Sequence, residues 1–120
     1  MAWEVVIKNP NKMVQKWAET STEENGHTAP LELSDFNIAE FQIIVSYRGE
    51  KYEGEVINFK VQKSIDCINW EDTGVEVTHT CGKGILSVPL TVTNMWYRIA
   101  WVITGPNKKY DFCIHIIAKR

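Results

Sequence analysis

Long apolar runs are missing from this 120-residue chain. No stretch approaches the ~20 consecutive apolar residues that a membrane-spanning helix needs. The opening Met1-Ala2-Trp3-Glu4 lacks the basic and apolar regions of a secretory leader. An excess of one charge is missing too: 13 basic residues against 15 acidic ones leave a net charge of −2, with the signs interspersed. Binding nucleic acid by releasing counterions from phosphates requires a basic stripe. The nearest candidates, Lys108-Lys109 and the terminal Lys119-Arg120, read as solvated ends. Neither nucleic acid nor a membrane is therefore expected as a partner. Cysteine is scarce and odd in number. Cys67, Cys81 and Cys113 are too widely spaced for a secreted disulfide framework and are expected to act as small buried hydrophobes. Together these absences predict a soluble protein made and retained in a cytoplasm, or assembled there into something larger.

The recognisable grammar of catalysis is absent as well. The chain has no G-x-S-x-G, no P-loop, no G-x-G-x-x-G and no EF-hand spacing. A non-enzyme without a cofactor is the expectation. Helical periodicity over ten or more residues is also lacking, and little helix is predicted.

What remains is alternation. In Phe41-Gln42-Ile43-Ile44-Val45-Ser46-Tyr47 the odd positions place large apolar groups on one face of a strand, and Arg48-Gly49-Glu50-Lys51 ends it with turn chemistry. Residues 52–66 repeat the pattern, with Ile57, Phe59, Val61 and Ile65 inward and Lys60 and Gln62 outward. A turn over Asp66–Asn69 leads to Trp70, and Val75-Glu76-Val77-Thr78 alternates again. Cys81-Gly82-Lys83-Gly84 breaks the chain before Ile85–Val92, where Pro89 marks an edge strand or a bulge. Trp96–Thr104 puts Tyr97, Ile99, Trp101 and Ile103 together. Gly105–Lys108 is expected as a hairpin connection into a last strand with Tyr110, Phe112, Ile114, Ile116 and Ala118 on one side. Strands recurring about every ten residues between short turns predict a single all-β domain over residues 1–120, an antiparallel β-sandwich or jelly roll.

The first third is less regular. Trp3–Lys8 and Met13–Trp17 are expected as strands and polar Thr20–Thr28 as a loop. Leu31-Glu32-Leu33 is expected to pair with a later strand, and Ser34-Asp35 to cap one helical turn. Residues 1–33 thus read as an N-terminal arm or peripheral strands.

Two small constellations merit weighing. His79-x-Cys81 and Cys113-x-His115 each put two soft ligands on one side of a strand, and together they would form a Cys₂His₂ set suited to zinc. The spacing differs from the usual structural site, and the simpler reading is two exposed histidines and two half-buried thiols. Cys81 with His79 and Asp72 would form a nucleophile, base and orienting acid, but residues two apart on a strand rarely reach attack geometry. Adjacent carboxylates, Glu23-Glu24 and Glu71-Asp72, face opposite sides of a strand and cannot flank one bond. Among the five tryptophans, Trp70 and Trp96 stand at strand ends, where a ring serves the core, a protein interface or the face of a sugar.

The segment Phe59–Asp72, ending Ser64-Ile65-Asp66-Cys67-Ile68-Asn69-Trp70-Glu71-Asp72, resembles a strand-and-turn pattern of small β-sandwich proteins of tailed bacteriophages, V-Q-x-S-x-D-G-x-x-W. Trp96–Gly105 is similar to the companion strand of that pattern, Tyr110–Lys119 fits its closing strand, and discoidin-like sandwiches share some of this grammar. The likeness covers about half the chain. It implies a head decoration, auxiliary capsid or tail-associated protein and carries no active site. It also implies that Asp66 and Asn69 shape the turn, that Trp70 plugs one end of the sandwich and that Arg98 pairs with an acidic turn residue. Cys67 departs from the pattern, standing where it usually has Gly; a turn needing positive φ would be strained or reshaped there.

The resulting expectation is a virion structural protein, assembled in the host cytoplasm. It would bind other virion proteins, and copies of itself, through sandwich edges and loops. Contact residues are expected at Trp3, Trp17, Trp96, Glu23, Glu24 and His27. The alternatives are a carbohydrate-binding sandwich for host recognition, with a glycan as ligand, and a metal- or thiol-dependent enzyme.

Overall fold

A computed structural model describes residues 3–22, 24–46, 56–80, 83–93, 96–105 and 110–120. Among these, every regular element is a strand: β1 (Trp3–Asn9), β2 (Lys12–Thr22), β3 (Gly26–His27), β4 (Leu31–Glu32), β5 (Ile38–Ser46), β6 (Val56–Ser64), β7 (Glu71–Thr80), β8 (Gly84–Thr91), β9 (Trp96–Thr104) and β10 (Tyr110–Lys119). They form two antiparallel sheets, one in the order β1-β2-β10-β5-β8 and the other β3-β9-β6-β7, with β4 also pairing β9.

The pairings are nested in sequence. β2 pairs β10, β3 and β4 pair β9, β5 pairs β8, and β6 pairs β7. Each outer pair encloses the next, so the chain runs as one long hairpin rolled across two layers. This is the jelly-roll form of the sandwich, and β1 adds a further strand beyond β2.

Period-two facing decides which atoms stay dry. Phe41, Ile43 and Val45 of β5, Ile57, Phe59 and Val61 of β6, Tyr97, Ile99, Trp101 and Ile103 of β9, and the even-numbered residues 110–118 of β10 are all buried. The layers interlock at Phe112, whose ring meets Phe59 edge-on at 5.1 Å and Trp101 at 5.0 Å, an arrangement that suits aromatic quadrupoles.

Several local expectations change. Ile65 is 76 % exposed because β6 ends at Ser64. β9 and β10 lie in opposite sheets, so the connection expected as a hairpin at Gly105–Lys108 crosses between layers. The same holds for β5 and β6. Residues 47–55 and 106–109, including Tyr47 and the Arg48–Lys51 turn, fall outside the described residues. Leu33 to Phe36 closes as a β-turn, with Phe36 N–H donating to the Leu33 carbonyl at 3.0 Å, in place of a helical turn.

The described part of the first 33 residues is built into both layers. β1, β3 and β4 are peripheral, but β2 is an inner strand, longer than the Met13–Trp17 segment expected. The polar segment expected as a loop contains the end of β2 and all of β3. Its polarity has a structural use: Asn25 Oδ1 accepts from Ile103 N–H at 2.9 Å, and Thr28 exchanges hydrogen bonds with the backbone of Ile99. Gly26 is required by space, because a Cβ there would sit 2.9 Å from Cζ2 of Trp101.

Truncating Phe112 to Ala removes the ring shared by both sheets. A loss of about 3–5 kcal/mol in unfolding free energy is expected from urea denaturation; a loss below about 1 kcal/mol would contradict this packing account.

Candidate functional site

A dense cluster of side-chain hydrogen bonds lies at the rim of the second sheet, where β6 stops. Ser64 Oγ accepts from the backbone N–H of Asp66 and Cys67, at 3.2 and 2.9 Å, and donates to Asp66 Oδ1 at 2.9 Å. Asp66 Oδ1 also accepts from Ile68 and Asn69 N–H, each at 2.9 Å, while Oδ2 accepts from Asn69 Nδ2 at 2.9 Å. These donors hold the carboxyl well below the usual carboxylate range: the backbone N–H of Asn69 contributes most, then that of Ile68, then the side chains of Asn69 and Ser64. Within the turn Cys67 takes the left-handed region, at φ 62°. A Gly would adopt this conformation without steric cost.

This turn presents apolar groups to solvent. Ile65 and Ile68 are 76 % and 79 % exposed on either side of Cys67.

Beside it runs a polar chain across three strands, set by register, since Gln62 stands opposite Asp72 on β7 and Arg98 on β9. Arg98 Nε donates to Gln62 Oε1 at 2.7 Å, and Gln62 Nε2 donates to Asp72 Oδ1 at 3.0 Å. The Arg98 guanidinium lies 4.4 Å from the centroid of the Trp70 ring, within cation–π range. Arg98 thus reaches an acidic residue through Gln62, and partial burial lowers its pKa. A half-buried Trp70 with a guanidinium over one face leaves that face closed to a sugar.

The other predicted residues scatter. His79 is on β7 of the second sheet, its ring against Gly84. Cys113 and His115 are on β10 of the first sheet, on the side away from buried Phe112, Ile114 and Ile116. Cys81 lies outside the described residues. Among those described, no three His, Cys, Asp or Glu side chains converge as a metal would require. Trp17, expected at a contact surface, is a core ring: it is 6 % exposed, and its Nε1 donates to Thr20 Oγ1 at 3.0 Å. Trp3 is half-buried against it at 5.5 Å, with Nε1 donating to the Ala29 carbonyl at 2.8 Å. Trp96 is half-buried, Glu24 and His27 are exposed, and Glu23 lies outside the described residues.

Sequence reasoning missed the exposed apolar residues Val5, Val6, Ile7, Ile38, Ile68, Ile85 and Val102. Their signal was present in Val5-Val6-Ile7, three consecutive β-branched residues without alternation. No protein-family model matches the chain, and no curated protein matches it.

Two outcomes test the rim turn. Replacing Cys67 by Gly removes about 1–2 kcal/mol of left-handed strain against about 0.5–1 kcal/mol of added chain entropy. A small net stabilisation by denaturant melt is expected, whereas Cys67→Val should destabilise; the reverse order would show that the turn does not hold this φ. For Asp66 the folded carboxyl is depressed, so its contribution is full above the ordinary value of 3.8 and is lost as pH falls through the folded value. Asp66→Asn should lower the unfolding midpoint at neutral pH, and the gap to wild type should narrow well below pH 3.8. A gap independent of pH would refute the role of the charge.

Proposed function

We propose that this chain is a non-enzymatic structural protein of a tailed-phage virion, assembled in the host cytoplasm and bound to neighbouring virion subunits through its edges and loops. The observation that carries this reading is where the apolar surface lies. Val5, Val6 and Ile7 are exposed on edge strand β1, Ile85 is 75 % exposed on edge strand β8, and Ile65 and Ile68 project from a rim turn clamped by six hydrogen bonds through Ser64 and Asp66. Apolar groups held in a fixed geometry bind at low entropic cost, because little remains to be ordered on contact. Exposed apolar surface at edges and rims is the usual mark of an interaction site.

The virion assignment rests on the resemblance of Phe59–Asp72 and Trp96–Gly105 to phage sandwich strands. The left-handed Cys67 supports it, because the residue occupies the position where that pattern has Gly and adopts the conformation that favours Gly. The decisive experiment is detection of the protein in purified virions, followed by co-sedimentation of the recombinant chain with particles lacking it. Recovery in particles and at least about tenfold weaker binding by Ile65→Ser/Ile68→Ser is expected, as for loss of an interface hot spot. A chain absent from particles, or one that binds them equally well with both substitutions, would refute respectively the virion role and the use of this turn.

A further inference from the structure

Asn25-Gly26 is the one Asn-Gly step in the chain. Glycine has no side chain to shield its backbone nitrogen, so the side-chain amide of the preceding asparagine is open to attack by it. The structure places this step on the segment that covers the outer edge of β9, and a series of contacts staples that segment down. Trp101 Nε1 donates to the Glu24 carbonyl at 3.1 Å, and Ile103 N–H donates to Asn25 Oδ1 at 2.9 Å. Gly26 pairs with Trp101. Thr28 N–H donates to the Ile99 carbonyl at 2.9 Å, while its hydroxyl accepts from Ile99 N–H at 3.1 Å.

Both reacting groups are engaged in this arrangement. The Asn25 amide is bonded across to β9, and Gly26 is held in the ladder with Cζ2 of Trp101 2.9 Å from where a Cβ would stand. Yet β3 is only two residues long, and Asn25 is exposed. A short peripheral ladder opens locally at a fraction of the global unfolding free energy. We infer that Asn25-Gly26 is a latent self-modification site gated by local opening of β3. When the segment lifts, the Gly26 backbone nitrogen attacks Asn25 Cγ. The new N–Cγ bond closes a succinimide ring, the Cγ–Nδ2 bond breaks, and ammonia leaves with the proton of the Gly26 nitrogen. Water then opens the ring at either carbonyl, so the net change consumes one water and releases one ammonia. Opening at the side-chain carbonyl leaves aspartate, which keeps an acceptor for Ile103 N–H. Opening at the main-chain carbonyl leaves isoaspartate, whose backbone runs through Cβ and Cγ. That extra methylene shifts Gly26 out of register with Trp101 and takes the acceptor from Ile103. The site is a one-way release for the cover of β9.

Peptide mapping of the full chain tests this by the mass gain of an amide-to-acid exchange, located by fragmentation at position 25 of the tryptic peptide 17–48. Wild type unfolded in urea at neutral pH should convert at least about tenfold faster than folded wild type. Thr28→Val removes the hydroxyl that accepts from Ile99 N–H. It should convert several-fold faster than wild type when folded and at the same rate when unfolded. If circular dichroism shows that it does not fold, Trp101→Phe, which loses the donor to Glu24, carries the same expectation. In the isoaspartyl form, separated by ion exchange, the Ile103 amide should lose protection from hydrogen exchange, and in the aspartyl form it should keep it. Four results overturn the inference: equal rates folded and unfolded, no conversion when unfolded, no acceleration in the loosened variant, or a protected Ile103 in the isoaspartyl form.

Discussion

The contact on which the rest of this molecule depends is the seating of Phe112 between Phe59 and Trp101. β10 is the last strand in sequence, yet it lies inside the first sheet between β2 and β5, and its inward residues cover β6 and β9 of the second. One ring therefore ties the closing strand to both layers. Because facing has a period of two, fixing Phe112 inward also fixes Tyr110, Ile114, Ile116 and Ala118 inward, and a slip of one residue would expose them all. A dry interior of this kind leaves polar chemistry to the outer faces, the rims and the edges.

The rim at Ser64–Trp70 shows how a strand end becomes a rigid display. β6 could have continued through Ile65 on hydrophobicity alone. Instead the Ser64 hydroxyl takes the next backbone donors, and Asp66 gathers those of Ile68 and Asn69, so local side-chain bonds outcompete the ladder. The consequence is that two isoleucines face solvent where alternation alone would bury one of them. Cys67 accepts a left-handed conformation in the same turn, a strain sustained by hydrogen bonds on both sides of it.

The inner faces of β5, β6, β9 and β10 were legible because each combines a clean period of two with bulky β-formers. Layer membership was not. Turn chemistry at Gly105–Lys108 looks the same whether the chain returns along its own sheet or crosses to the other, since local residues report a reversal and not its target. Nor does residue type separate Trp17 from Trp3: the first sits on an inner strand with its indole N–H bonded to Thr20, the second on an edge. His79 lies on β7 and Cys113 with His115 on β10, but whether those strands share a sheet is a long-range fact. The candidate rim turn was half legible, its Asp66–Asn69 geometry from Asx chemistry and its exposed isoleucines not at all.

Edges are where local and global information meet, and β1 illustrates the consequence. Register lines up Ser87, Gln42, His115, Lys16 and Glu4 as one polar row across the outer face of the first sheet, and Pro89, Glu40, Ile117, Val14 and Ile7 as a mainly apolar row beside it. At β8 both rows end on a strand that Pro89 closes to further pairing. At β1 they end on Glu4 and Ile7, on a strand whose outer side no other strand pairs among the described residues. Both ends of the first sheet thus carry a device against strand addition, Pro89 on β8 and the bulge between Val5 and Ile7 on β1.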